Sequence, residues 1–330
     1  MIGNENNKSD LSSVVIPDNV TKIESHAFEG YTSLASVVIP NNVKVIGWSA
    51  FAGCTSLRSV VIPNSVTEIG SNAFKGCTSL EAIAIPNSVK EIGAHAFDGC
   101  ASLSSVVIPN SVTSIGWNVF ARCTTLSSVE IPNNVKEIGW NAFAGCTSLA
   151  SIIIPNSVTK IGEDAFADCT SLRSIEIPDS VKEIEGNPFS GCLGLTSKII
   201  WNGVLLVPSK RSGNIVIPKG VTKIGEGAFS GCTELTSVVV PDGVREIGAH
   251  AFSGCTRLIS VELPRSMRIL RDFAFSDCTA LNSFTLWDST WEGGNHVFFG
   301  CTSLKSFLLH KRSIIQCLED TIEDSKRERT

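Results

Sequence analysis

Apolar and polar positions along this chain follow one unit of 23 residues. Proline falls at 17, 40, 63, 86, 109, 132, 155 and 178, then at 218, 241 and 264. Cysteine keeps step at 54, 77, 100, 123, 146, 169 and 192, then at 232, 255, 278 and 301, with a phenylalanine three residues before each. Such a period marks a solenoid, whose units bury their apolar faces only by stacking on one another. In the unit that starts at Leu34, the run Ser36 to Ile39 is short, alternating and β-branched, and predicts a strand with Val37 and Ile39 facing inward. Pro40 ends it, since proline cannot donate to a ladder, and Asn41-Asn42 suits a turn. Gly47 and Gly53 permit tight bends, and Ala50-Phe51 fills the far side of the core. The expectation is one short strand per coil and one parallel sheet along the stack.

The lattice persists where its letters change. Trp201, Trp287 and His310 occupy proline slots, giving fourteen strand slots in all. Between Trp201 and Pro218 the phase slips by 17 residues. The segment 202–217 reads as a hairpin-like insertion turning around Ser209 to Gly213. The solenoid is expected to run through it as a single domain over 11–310, after a polar tail at 1–10. Ser313 to Leu318 with Ile322 has helical spacing and Ser313 can cap it, so 311–330 is expected to be a capping helix and tail.

These residues carry a resemblance. The pattern Leu-x-x-Val-x-Ile-Pro-x-x-Val-x-x-Ile-Gly-x-x-Ala-Phe-x-Gly-Cys is similar to the treponemal, BspA-like class of leucine-rich repeats, over Leu11 to about His310. The Asn-Gly-Val-Leu-Leu insertion resembles a recurring variation of that family. The resemblance implies a leucine-rich-repeat horseshoe or superhelix, with an irregular convex side of short helical turns. It also implies a non-enzymatic binding role, many members being microbial surface proteins that adhere to host cells or matrix.

Composition narrows the partners. The formal charge is −5 and only 18% of residues are charged, against 43% hydrophobic. A basic field for nucleic acid is missing, and no apolar run approaches the roughly 18 residues of a spanning helix. The first ten residues lack the apolar stretch of a secretory signal. This points to a cytoplasmic location, whereas the family resemblance points to a cell surface.

Catalytic chemistry is not expected. No Cys-x-x-Cys pair exists, and eleven of the twelve cysteines share one lattice position beside a phenylalanine. Stacked coils put their sulfurs about 5 Å apart, which disulfides could bridge. A uniform core column nevertheless suits buried free thiols, and those suit a reducing compartment. His26, His95, His250 and His296 share one row, coils apart. No cofactor or metal site is expected.

Two surfaces remain. Two residues before each proline slot, the side chain should point outward. That row reads Val15, Val38, Val61, Ala84, Val107, Glu130, Ile153, Glu176, Ile199, Val216, Val239 and Glu262, beside a row of serines. Valine suits any strand, but a contiguous apolar patch suits a protein partner. The second surface is the position three before the phenylalanine, where Trp48, Trp117 and Trp140 stand among Ser71, Ala94, Glu163 and Glu226. These tryptophans should be exposed, and Trp117 and Trp140 could lie side by side. They either pack over neighbouring loop edges or offer stacked rings to a glycan. An uncovered N-terminal edge also leaves end-to-end self-association open.

Overall fold

The computed structural model describes residues 10–207, 212–286, 292–304 and 306–309. Trp287, His310 and the expected capping helix fall outside them. The described residues form a parallel β-solenoid of 23-residue coils, in two compact units that meet in sequence at Leu195 and Thr196.

In the first unit, coils 1 to 8 begin at Leu11, Leu34, Leu57, Leu80, Leu103, Leu126, Leu149 and Leu172. Strands Ser13–Val15, Ser36–Val38, Ser59–Val61, Ala82–Ala84, Ser105–Val107 and Ser128–Glu130 form one six-stranded sheet. Each residue pairs with its lattice equivalent, Ser13 with Ser36 and Val14 with Val37. An isolated parallel bridge between Ser151 and Ser174 joins coils 7 and 8.

The single strand per coil expected from sequence is corrected to two. A second strand follows each proline turn: Lys22–Ile23, Val45–Ile46, Glu68–Ile69 and Glu91–Ile92 make one parallel sheet. Ser114–Ile115, Glu137–Ile138, Lys160–Ile161 and Glu183–Ile184 make another. Two residues are too few for a period-2 pattern to be read from sequence. The prolines themselves open turns, Pro17 accepting the Val20 amide at 3.0 Å.

The short helical turns are absent among the described residues; left-handed residues bend the chain instead. One falls at the histidine row, where His26, Ser49, Asn72 and His95 have φ of 63°, 53°, 56° and 59°. Histidine and asparagine tolerate this region better than most side chains, which explains their place in the lattice without any chemistry. The other falls on the residue before each lattice cysteine, mostly glycine, as at Gly53 with φ 71°, but Arg122, Asp168 and Asp277 in three coils.

The core is built of columns. Phe28, Phe51, Phe74, Phe97 and Phe120 stack with ring centroids 5.2 to 5.5 Å apart. Beside them run the cysteines, all free among the described residues and buried except the half-buried Cys301. Each thiol has a specific acceptor. Cys54 Sγ donates to the Phe28 carbonyl at 3.1 Å, and Cys77 repeats this on Phe51 and Cys100 on Phe74. The Phe51 carbonyl also accepts the Cys54 amide at 3.2 Å, so both lone pairs are used. Burial pushes the Cys54 and Cys146 thiols up to about 12. The column is therefore held as thiol, the unreactive form.

The second unit departs from the sequence reading at its start. Ile199–Trp201 and Val204–Val207 form an antiparallel hairpin. It turns at Asn202-Gly203, with φ of 46° and 77°, the positive pair that a two-residue turn favours. The expected turn around Ser209 to Gly213 falls largely on residues 208–211, which lie outside the description. Val204–Val207 then begins a parallel ladder with Lys223–Ile224, Glu246–Ile247, Ile269–Leu270 and Glu292–Gly293. Gly213–Val216 begins the other, followed by Leu235–Val239, Ser260–Glu262, Ser283–Leu286 and Ser306–Leu309.

Candidate binding surfaces

Strand alternation places the outward row where it was expected. Val15, Val38, Val61, Val107, Ile153, Val216 and Val239 are exposed, with Val61 at 78% and Ile153 at 83%. Glu130, Glu176 and Glu262 are exposed in the same row. Ile199 is the exception. It is half-buried while Ile200 is exposed, because the strand is shifted by a bulge between those two residues against the antiparallel partner. On coils 1 to 5 the row holds no charge, and its serine companions Ser13, Ser36, Ser59 and Ser105 are exposed beside it. The result is a flat, uncharged strip with an aliphatic centre.

The tryptophans form a different surface, on the flank of the second strands. Trp48, Trp117 and Trp140 are all exposed. Trp117 and Trp140 stack with centroids 5.2 Å apart and planes 9° from parallel. The two rings are stacked on each other and also packed over loop edges. A Cβ on Gly139 would lie 3.1 Å from Trp117 Cδ1, so that indole leans over the next coil's glycine. Trp140 leans over Gly162 likewise, and its Nε1–H donates to the Glu185 carboxylate. Trp48 packs against His26 in coil 1, edge to face at 4.5 Å.

Glycine floors this flank. Gly47, Gly70, Gly93, Gly116, Gly139 and Gly162 follow the second strands of coils 2 to 7. Glutamate takes the slot at both ends, each paired with a lysine: Glu24 with Lys22 at 3.0 Å, and Glu185 with Lys160 at 2.8 Å. Between these ends lie depressions of about 620 and 780 Å³. The first is lined by Trp48, Gly47 and Ser71, the second by Gly70, Gly93 and Ser114.

Two ladders, a glycine-cornered coil and stacked phenylalanine and cysteine columns define a known repeat class. The model of the BspA type leucine rich repeat region matches in six copies, over residues 5–127, 90–211 and 208–325. The chain belongs to this BspA-type leucine-rich-repeat family. It is similar to a leucine-rich repeat protein from Bacteroides ovatus, at 33% identity and TM-score 0.60, over 90% of this chain and 78% of that one. It is also similar to a leucine rich cell surface protein from Faecalibacterium prausnitzii, at 29% identity and TM-score 0.66, over 93% and 90%. No curated protein matches. The BspA-type relatives are repeat scaffolds, which is the setting in which both surfaces must be read.

One buried ionic cluster interrupts the BspA-type lattice. Asp98, 1% exposed, stands in a slot that holds alanine in coils 2, 5, 6 and 7 and Lys75 in coil 3. Its Oδ2 meets Arg122 at 2.7 Å, His95 at 3.1 Å and Lys75 at 3.6 Å. Arg122 replaces the left-handed glycine of coil 5, with φ 57°. The guanidinium therefore ties coil 5 to coil 4 at a position where its own backbone is strained. This pairing was missed from sequence, although an aspartate and an arginine off-pattern in adjacent coils were its visible signal. The glycine floor was read only as turns; its closure by Glu24 and Glu185 was equally visible.

The Glu185 cap responds to acid. Its hydrogen bond from Lys160, and then that from Trp140, holds the carboxyl below its ordinary value. A depressed carboxylate keeps its contribution above its unfolded value and loses it as pH falls through the folded one. Trp140 fluorescence should thus stay constant on acidification through the ordinary glutamate range, then shift below it as Glu185 protonates. The Glu185→Gln variant should remove that acid step while leaving the rest of the titration.

Proposed function

We propose that this BspA-type chain is a non-enzymatic protein-binding scaffold for adhesion or recognition. The reading rests on one observation, the uncharged strip of exposed Val15, Val38, Val61, Ala84 and Val107 on coils 1 to 5. Lysine- or glutamate-free apolar rows are rare on exposed sheets, because solvent-facing strand positions usually carry polar side chains. A contiguous one marks an interface. The strip is narrow: strands of three residues are about 10 Å long and neighbours about 4.8 Å apart. It therefore suits an elongated segment of a protein partner, laid across the strands. Glu130 and Glu176 interrupt the row beyond coil 5 and set the register at that end.

The test is a triple substitution. Val38→Glu, Val61→Glu and Val107→Glu together should abolish capture of matrix or host-surface proteins, with melting and circular dichroism unchanged. Capture that survives in the folded variant removes the strip from consideration. A second reading, an intracellular interaction scaffold, is favoured by the column of free thiols, which suits a reducing compartment. Protease shaving of intact and permeabilised source cells separates the two. Cleavage on intact cells supports adhesion, and cleavage only after permeabilisation supports the intracellular role.

A further inference from the structure

The flank of the second strands contains one break in the otherwise regular lattice. Along coils 1 to 8, two backbone bonds join each second strand to the one before it. The first runs from the amide before the strand to the preceding coil, as from Lys90 to the Thr67 carbonyl at 3.0 Å and from Lys136 to Thr113 at 2.8 Å. The other runs from the amide after it, as from Gly93 to Ile69 and from Gly139 to Ile115, both 2.8 Å. Between coils 4 and 5 neither is made: Thr113 does not reach Lys90, nor Gly116 Ile92. The sheet divides at this junction, with Glu91–Ile92 ending one and Ser114–Ile115 starting the next.

Further observations mark the same place as an opening. A Cβ on Gly47, Gly70 or Gly93 would come within 2.2 to 2.8 Å of backbone in the preceding coil, whereas on Gly116 the nearest atom is at 3.6 Å. Ile92 is half-buried while Ile69 and Ile115 are buried. The depression of about 780 Å³ lies over this junction, touching Lys90, Ile92, Gly93, Thr113 and Ser114. The opening is confined to one flank. On the other side the first strands stay paired, Ala82 with Ser105 and Ala84 with Val107, and Arg122 still holds Asp98.

We infer that this cleft binds a neutral carbohydrate chain long enough to reach Trp117, the residue after Gly116, as its stacking platform. Two carbonyls, of Lys90 and Ile92, and the Thr113 amide line it, with the Gly116 amide beside them, and none of the four is bonded across the junction. Backbone groups in such a place seek hydrogen bonds. A sugar ring brings hydroxyls that donate to the carbonyls and accept from the amides, and its C–H face suits the electron-rich face of an indole. Trp117 is stacked on Trp140 on one side, and on the other the row continues with Ala94, a single methyl, then Ser71. Glu68, Lys90 and Glu91 all touch the depression, so an anionic ligand is disfavoured. A peptide strand is disfavoured, because the gap is one two-residue strand long and its neighbours are bonded on both sides.

The experiment exposes the full chain to a panel of gluco-, xylo-, manno- and chito-oligosaccharides. Amide hydrogen exchange and calorimetry are followed together. The expected result is saturable binding of at least one, with slowed exchange at Thr113 and Gly116. Trp117→Ala should weaken it roughly tenfold. Ala94→Trp, in a row that already accepts tryptophan, should block it with the fold intact. Absence of saturable binding across the panel overturns the proposal. So does binding that leaves those two amides unprotected, or a peptide library that protects them where the sugars do not. The triple valine variant should bind the same sugar normally, so failure of the strip and failure of the cleft are read separately.

Discussion

Replacing Phe97 with alanine should destabilise coils 3 to 5 by about 3–5 kcal/mol. The side chain is fully buried and stacks at 5.5 Å on both Phe74 and Phe120. Its removal loses two ring contacts and leaves a void the column cannot close, since the coils above and below are fixed by their ladders. In a solenoid the loss is felt by nearest neighbours. Hydrogen exchange should accelerate in coils 3 to 5 before it does in the second unit. Uniform acceleration along the whole chain would show that the coils unfold as one block and that the column is not locally coupled.

The glycine floor gives the second large effect, with an internal control. Gly93→Ala places a methyl 2.2 Å from the Ser71 amide nitrogen, where only backbone can yield. Overpacking of this kind costs about 1–3 kcal/mol, and more where neighbours are rigid. Gly116→Ala meets nothing nearer than 3.6 Å and has no left-handed backbone to strain. Restricting the unfolded chain should make it neutral or stabilising by about 0.5 kcal/mol. Urea midpoints of the two variants measure the contrast. Equal destabilisation would mean that coils 4 and 5 are as tightly apposed as the rest, and the cleft would not exist as described.

Much of the candidate binding surface was legible in the letters. Val38 and Val61 had to face outward once Val37 and Ile39 faced inward, because successive strand residues alternate. Trp117 and Trp140 had to be neighbours, because 23 residues separate them and each coil advances by one strand spacing. Ile199 failed for a definite reason: an antiparallel partner and a bulge replaced the parallel register on which the alternation was counted. Asn202-Gly203, a dipeptide that favours a two-residue turn, was the visible signal of that antiparallel hairpin.

What the sequence determined by itself is the solenoid: its period, its inward and outward rows, and its phenylalanine and cysteine columns. These follow from repetition, since a side chain that recurs every coil must meet its own copy. Tertiary structure alone decided how the second half of each coil bends. Two-residue strands and left-handed corners depend on the bonds each coil makes to the next. It alone decided, too, that coils 4 and 5 part on one flank. Gly93 and Gly116 are the same letter in the same slot, and they differ only in how closely the neighbouring backbone approaches.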